Sequence, residues 1–159
     1  MVHTDKVVRD LEFLYEGVFD FKELLEIIKE FCDKRGYDID EKLYNNKVKG
    51  DFKNTVIKWT ADRKIDDYNK CVVKLIINLN DYKEGYVDGR KIVDGNLKIT
   101  FNGEVERDYD EKWKKAPTKK FLRAVYEKYI VESKQDKVNS SLKNLIDDLK
   151  NEIKLYLKV

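Results

Sequence analysis

Leu97-Lys98-Ile99-Thr100-Phe101-Asn102-Gly103-Glu104-Val105-Glu106 alternates between two kinds of residue without a break. In an extended chain successive side chains point to opposite faces, so Leu97, Ile99, Phe101, Gly103 and Val105 share one face and the polar residues share the other. A strand of this kind has one dry and one wet face, as in an antiparallel sheet. Upstream, Tyr86-Val87 and Ile92-Val93 flank the turn pair Asp88-Gly89 and read as a smaller hairpin, separated from the long strand by Asp94-Gly95. Cys71, Val73, Leu75, Ile77 and Leu79 form one long strand and Thr55, Ile57, Trp59 and Ala61 another, joined around Asp66-Asp67. Trp59, in step with Ile57 and Ala61, is expected in the core. Tyr37, Ile39 and Leu43 alternate with Asp38, Asp40 and Lys42, and the run is expected to break at Asn45-Asn46 and at Gly50-Asp51.

Helical spacing brackets this meander. Phe21, Leu24, Leu25, Ile28 and Phe31 place a helix over Phe21 to Arg35, with Asp20 as N-cap, Glu23 three residues later and Gly36 at the left-handed stop. Before it, Val7, Leu11, Phe13 and Tyr15 fit a strand, while Val7, Val8, Leu11, Leu14 and Tyr15 also fit a helix capped by Thr4; the strand is preferred. Toward the C-terminus, Phe121, Leu122, Val125, Tyr126, Tyr129 and Ile130 mark one helix and Val138, Leu142, Leu145, Ile146, Leu149, Ile153, Tyr156 and Leu157 a second, with a break expected near Ser133 to Asp136. The expected fold is therefore α+β, a single domain over residues 1–159: an N-terminal strand and helix, an antiparallel sheet of five to six strands, and two C-terminal helices packed on it.

This order of elements resembles the helix-grip arrangement of START-like domains. The resemblance covers most of the chain, but as an order of elements only, with no family motif. It implies a curved sheet wrapped around a long C-terminal helix, with room for an apolar ligand between them. A plain two-layer sandwich predicts the same pattern.

Charged residues make up 40% of the chain, yet 33 basic side chains face 31 acidic ones, so no global field attracts a polyanion. The imbalance is local. Residues 1–40 hold six basic and eleven acidic side chains, and residues 111–134 hold eight basic and three acidic ones. Two cysteines, Cys32 and Cys71, are too few for a disulfide scaffold and lack zinc-site spacing, which points to a reducing, cytoplasmic setting. No apolar export segment opens the sequence, and no run approaches membrane-spanning length.

The catalytic inventory is thin. His3 is the sole histidine, placed in a frayed terminus by this reading, and Ser133, Ser140 and Ser141 fall where helix caps are expected, so nucleophile–histidine chemistry has no parts to assemble. Carboxylates recur as Asp38, Asp40 and Glu41, as Asp62, Asp66 and Asp67, and as Glu104, Glu106 and Asp108, without calcium-loop spacing; solvated faces account for them best. Cys32 and Cys71 lie on apolar faces and read as buried, inert thiols. No cofactor or metal is expected.

The stretch Lys112-Trp113-Lys114-Lys115-Ala116-Pro117-Thr118-Lys119-Lys120-Phe121-Leu122-Arg123 stands out. Lys112, Lys114, Lys115, Lys119, Lys120 and Arg123 could neutralise phosphates while Trp113 stacks, and positive charge at a helix start opposes the helix dipole. Surface charge beside core anchors Trp113 and Phe121 is the plainer account. Three functions follow as expectations. The first is a non-catalytic binding or accessory protein, monomeric or weakly dimeric, taking an apolar small ligand or a protein partner. The second is an RNA- or ribosome-associated factor acting through the basic run. The third and least supported is a carboxylate-dependent enzyme.

Overall fold

The computed structural model describes residues 3–107 and 131–159. Five strands, β1 (His3–Phe19), β2 (Asp38–Lys49), β3 (Phe52–Lys64), β4 (Asn69–Val87) and β5 (Arg90–Arg107), form one antiparallel sheet in the order β1-β5-β4-β3-β2. Helix α1 (Phe21–Lys34) links β1 to β2, and α2 (Val131–Leu157) is the C-terminal element. No helix among the described residues is long and apolar enough to cross a membrane.

The alternating strand is where the sequence places it. Leu97, Ile99, Phe101 and Val105 are buried beside Leu79, Ile77, Leu75 and Cys71 of β4. On the other face Lys74 pairs with Glu104 at 3.0 Å and Lys70 with Glu106 at 3.4 Å, which is the solvated ladder the carboxylate pattern suggests. The N-terminal segment is a strand, and His3, rather than lying in a loose end, opens β1 opposite Arg107. Helix α1 begins on Asp20, whose Oδ1 accepts from the Glu23 amide at 3.0 Å, and ends at Gly36, which takes φ +77° while the Tyr37 amide reaches back to the Cys32 carbonyl at 2.9 Å.

Three expectations need correction. Asn45-Asn46 does not break β2, because an edge strand exposes these side chains to water and its ladder tolerates them; the turn is at Gly50-Asp51 alone. The supposed small hairpin is the far end of β4 and β5, which pair from Asn69↔Arg107 to Val87↔Arg90 around Asp88-Gly89 with positive φ at both turn residues, so the sheet has five strands and not six. Finally, α2 runs unbroken from Val131, which puts Ser133, Ser140 and Ser141 within the helix and not at a cap. The other expected C-terminal helix, Phe121 to Ile130, lies outside the described residues.

Both helices pack on the same face of the sheet. Leu24, Ile28 and Phe31 of α1 join Leu142, Ile146, Leu149 and Ile153 of α2 in a continuous core with the inward residues of β3, β4 and β5. Gly103 sets how closely α2 approaches: a Cβ built there would lie 2.4 Å from Ile146 Cδ1. At this contact helix and sheet are packed solid.

Candidate functional site

A cleft with apolar walls lies under the start of α1, toward the far end of the sheet. Its origin is a one-residue slip in β4. The register with β5 shifts between Asn80 and Lys83, and Asp81 takes φ +49° while its amide donates to Asn54 Oδ1 at 2.7 Å. The slip turns Tyr82 onto the helix side. Opposite it only glycine fits, since a Cβ on Gly95 would sit 2.5 Å from Tyr82 Cβ and 2.8 Å from its Cα. The Tyr82 hydroxyl then meets Thr55 Oγ1 at 2.8 Å, a hydrogen-bonded pair in which both residues are buried.

Around that floor the cleft has a volume of about 450 Å³. Phe21 and Leu25 of α1, Tyr44 of β2 and Val93 of β5 supply apolar walls, and Asp20, Lys22, Glu84, Arg90 and Lys91 form the rim. Most rim charges are committed to one another. Arg90 pairs with Asp20 at 3.0 Å and with Glu23, and the Tyr156 hydroxyl lies 3.2 Å from the Asp20 carbonyl and 3.1 Å from Glu23 Oε2. These contacts clamp the first turn of α1 to β5 and to the end of α2. Glu84 is held by Lys91 at 2.9 Å and Lys53 at 3.2 Å, and the hydrogen bond from Lys91 keeps its carboxyl below the usual range. Lys22 makes no ion pair among the described residues.

Two other depressions are more open. One, of about 610 Å³, lies between the end of α1 and the first half of α2, lined by Arg35, Arg63, Asp136, Lys137 and the hydroxyls of Ser140 and Ser141. The other sits between α1 and β2 beside Trp59. Both are shallower than the cleft under α1 and bury less of a ligand, although Tyr37, Ile39 and Trp59 give the second an apolar side.

Lys112, Trp113, Lys114, Lys115, Lys119, Lys120 and Arg123 lie outside the described residues, as does Asp108. Asp66 caps its own turn, accepting from the Tyr68 and Asn69 amides at 2.8 and 2.7 Å. Among the described residues no group of three or more His, Cys, Asp or Glu could hold a metal ion. Cys32 and Cys71 are buried, and burial pushes the Cys32 thiol from an ordinary 9.0 to about 11 despite Arg35 nearby. Cys71 is raised by burial too, with the nearby Tyr37 hydroxyl offsetting part of the rise. A neutral thiol of this kind is a poor nucleophile.

Sequence reasoning missed the cleft residues themselves. Asp20 reads from the sequence only as a cap and Thr55 only as a strand residue, and Tyr82 and Arg90 are not singled out. One sign was present: every odd position from Cys71 to Leu79 is apolar, whereas the next apolar residue is Tyr82, a change of phase that fits a bulge.

No family model matches this chain, and no curated protein is significantly similar to it. The site therefore rests on its own geometry.

Proposed function

We propose that this is a non-catalytic binding or accessory protein whose ligand is a small amphiphile, its apolar body seated in the cleft under α1 and its anionic end at the rim. The observation that carries the reading is the buried Thr55–Tyr82 hydroxyl pair at the base of an apolar cleft of about 450 Å³. Small-molecule sites commonly span about 300–1,000 Å³ and combine apolar walls with a few fixed polar groups. Each hydroxyl keeps a lone pair beyond the bond they share, so the floor can also recognise a polar atom. Lys22 supplies the uncommitted charge. In the helix-grip arrangement that the element order resembles, the ligand sits beneath the C-terminal helix; here Gly103 and Ile146 occupy that seam, and the space is displaced toward α1.

Decanoate and decanol serve as probes, one charged and one not. In calorimetric titration and thermal melts, decanoate is expected to bind and raise the Tm, and decanol to bind more weakly. Leu25→Trp, which fills the cleft, should abolish the effect, and Lys22→Glu should erase the preference for the carboxylate. Absence of binding by both probes, or binding that Leu25→Trp leaves intact, overturns the proposal.

A further inference from the structure

The two edges of the sheet are unlike. Strand β1 is interrupted by register shifts between Lys6 and Val8 and between Val8 and Leu11, with Asp10 at φ +47°. Such bulges spoil an edge as a template for another strand. Strand β2 has one shift, between Glu41 and Leu43, and of its twelve residues only Ile39 is even half-buried. Its outer edge has no partner among the described residues. An open edge twelve residues long, roughly 40 Å at about 3.3 Å per residue, invites another strand, and its sequence determines which.

Reading Asp38-Ile39-Asp40-Glu41-Lys42-Leu43-Tyr44-Asn45-Asn46-Lys47-Val48-Lys49, the acids precede the bases. We propose that β2 pairs with β2 of a second copy, antiparallel about a two-fold axis at Tyr44, joining two five-stranded sheets into one. With Tyr44 opposite Tyr44 and Leu43 opposite Asn45, the extra residue at the bulge, Lys42, is absorbed in each copy. Beyond it Asp40 meets Lys47, Ile39 meets Val48 and Asp38 meets Lys49. Each of these pairs occurs twice, because the contact is its own mirror under the two-fold.

The bulge makes the match possible. Ile39 pairs with Ala61 on the helix side, and Val48 pairs with Lys53, two positions from the inward Thr55. An unbulged strand would put residues 39 and 48 on opposite faces; the slip at Lys42 returns them to the same one. Without it the same axis would set Ile39 against Lys49 and Asp40 against Val48. A parallel pairing in register would stack acid on acid. Asp38, Lys47 and Lys49 have no ion pair among the described residues, and Asp40 is held only by its exposed neighbour Lys42 at 2.5 Å. Tyr44 and Val48 are exposed apolar residues that the second copy would cover. A two-fold contact also closes on itself, so assembly stops at two.

Sedimentation over a concentration series extending to millimolar protein is expected to show a reversible dimer that weakens with salt. Asp40→Lys, at an exposed position, sets Lys against Lys47 twice per dimer and should weaken association by roughly tenfold or more; Asp40→Lys with Lys47→Asp should restore it. Should Asp40→Lys fail to fold by circular dichroism, Lys47→Glu makes the same test from the other side. Tyr44→Cys should form a covalent dimer on mild oxidation, since facing strand residues are close enough for a disulfide. Cys32 and Cys71 are buried, so the unsubstituted chain provides the blank. A monomer throughout, or a dimer indifferent to both charge reversals and without the Tyr44→Cys cross-link, overturns the proposal. Tyr44 also walls the cleft, but Asp40 and Lys47 do not line it, so the charge reversals test the dimer without touching the cleft, and loss of the cleft reading and loss of the dimer are distinguishable.

Discussion

Trp59 is 2% exposed, and its one polar atom is satisfied: Nε1 donates to Glu41 Oε1 at 3.0 Å, while Lys29 Nζ stands 5.1 Å from the ring centre. Truncation would open a cavity and leave Glu41 without that donor. Trp59→Ala is expected to cost about 3–5 kcal/mol in denaturant titration; a loss under about 1 kcal/mol, the range of ordinary surface changes, contradicts a core role. The burial of Trp59 was legible, because alternation with Ile57 and Ala61 places a side chain on a face without knowing what covers it. Its partner was not. Glu41 reaches the indole only through the β2–β3 register, and that register contains a bulge which no local pattern announces. The same limit hid Tyr82, whose place in the cleft depends on the slip after Asn80.

Among the elements, α2 is seated by a single missing methyl. Gly103→Ala pushes a Cβ against Ile146 Cδ1, in a region where Ile146 and Leu142 are fully buried and have little room to yield. The expected loss is about 1–3 kcal/mol, as for other overpacked cores. Ile146→Val removes the clashing atom and should recover part of that loss in the Ala background while destabilising the unsubstituted chain. A double-mutant cycle checks it: additive effects would mean the two residues do not press on each other. Strand identity and inward faces could be read because alternation is local. The inward placement of Gly103 could be read as well, but its purpose could not, since a residue without a side chain says nothing of its neighbour. The count of five to six strands came out at five, but the separate small hairpin was misread for the opposite reason: Asp94-Gly95 looks like a turn locally, yet Gly95 is where β5 passes beneath Tyr82.

For the molecule as a whole, the buried acids set the response to alkali. Burial is the leading cause that raises Cys32 to about 11, Tyr156 to about 12, and Tyr37 and Cys71 upward as well. An acid whose folded value exceeds its unfolded one contributes stability below the unfolded value and loses it as pH climbs through the folded value. The unfolded values are 9.0 for cysteine and 10.0 for tyrosine. The Tm should therefore be level across neutral pH and fall from pH 9.0 upward, and Tyr37→Phe should flatten the fall. Scanning calorimetry over that range decides it; a Tm that holds or rises there contradicts the assignment of these groups as buried and neutral. The cleft, in contrast to the core, was beyond the reach of the sequence, because it is assembled from β2, β3, β4, β5 and α1 at positions brought together only by tertiary packing.

The order β1-β5-β4-β3-β2 also has a meaning in time. Strands β2 to β5 can close one hairpin after another as they emerge from the ribosome, each beside its predecessor. Strand β1 is made first and paired last: Phe19 waits for Val93 and His3 for Arg107. At about 5–20 residues per second that delay is on the order of ten seconds. Throughout it, Phe13, Leu14 and Val18 have no sheet to join, and Arg9, Asp10, Glu12 and Glu16 are interspersed with them, the kind of charge that disfavours adhesion between unpaired strands.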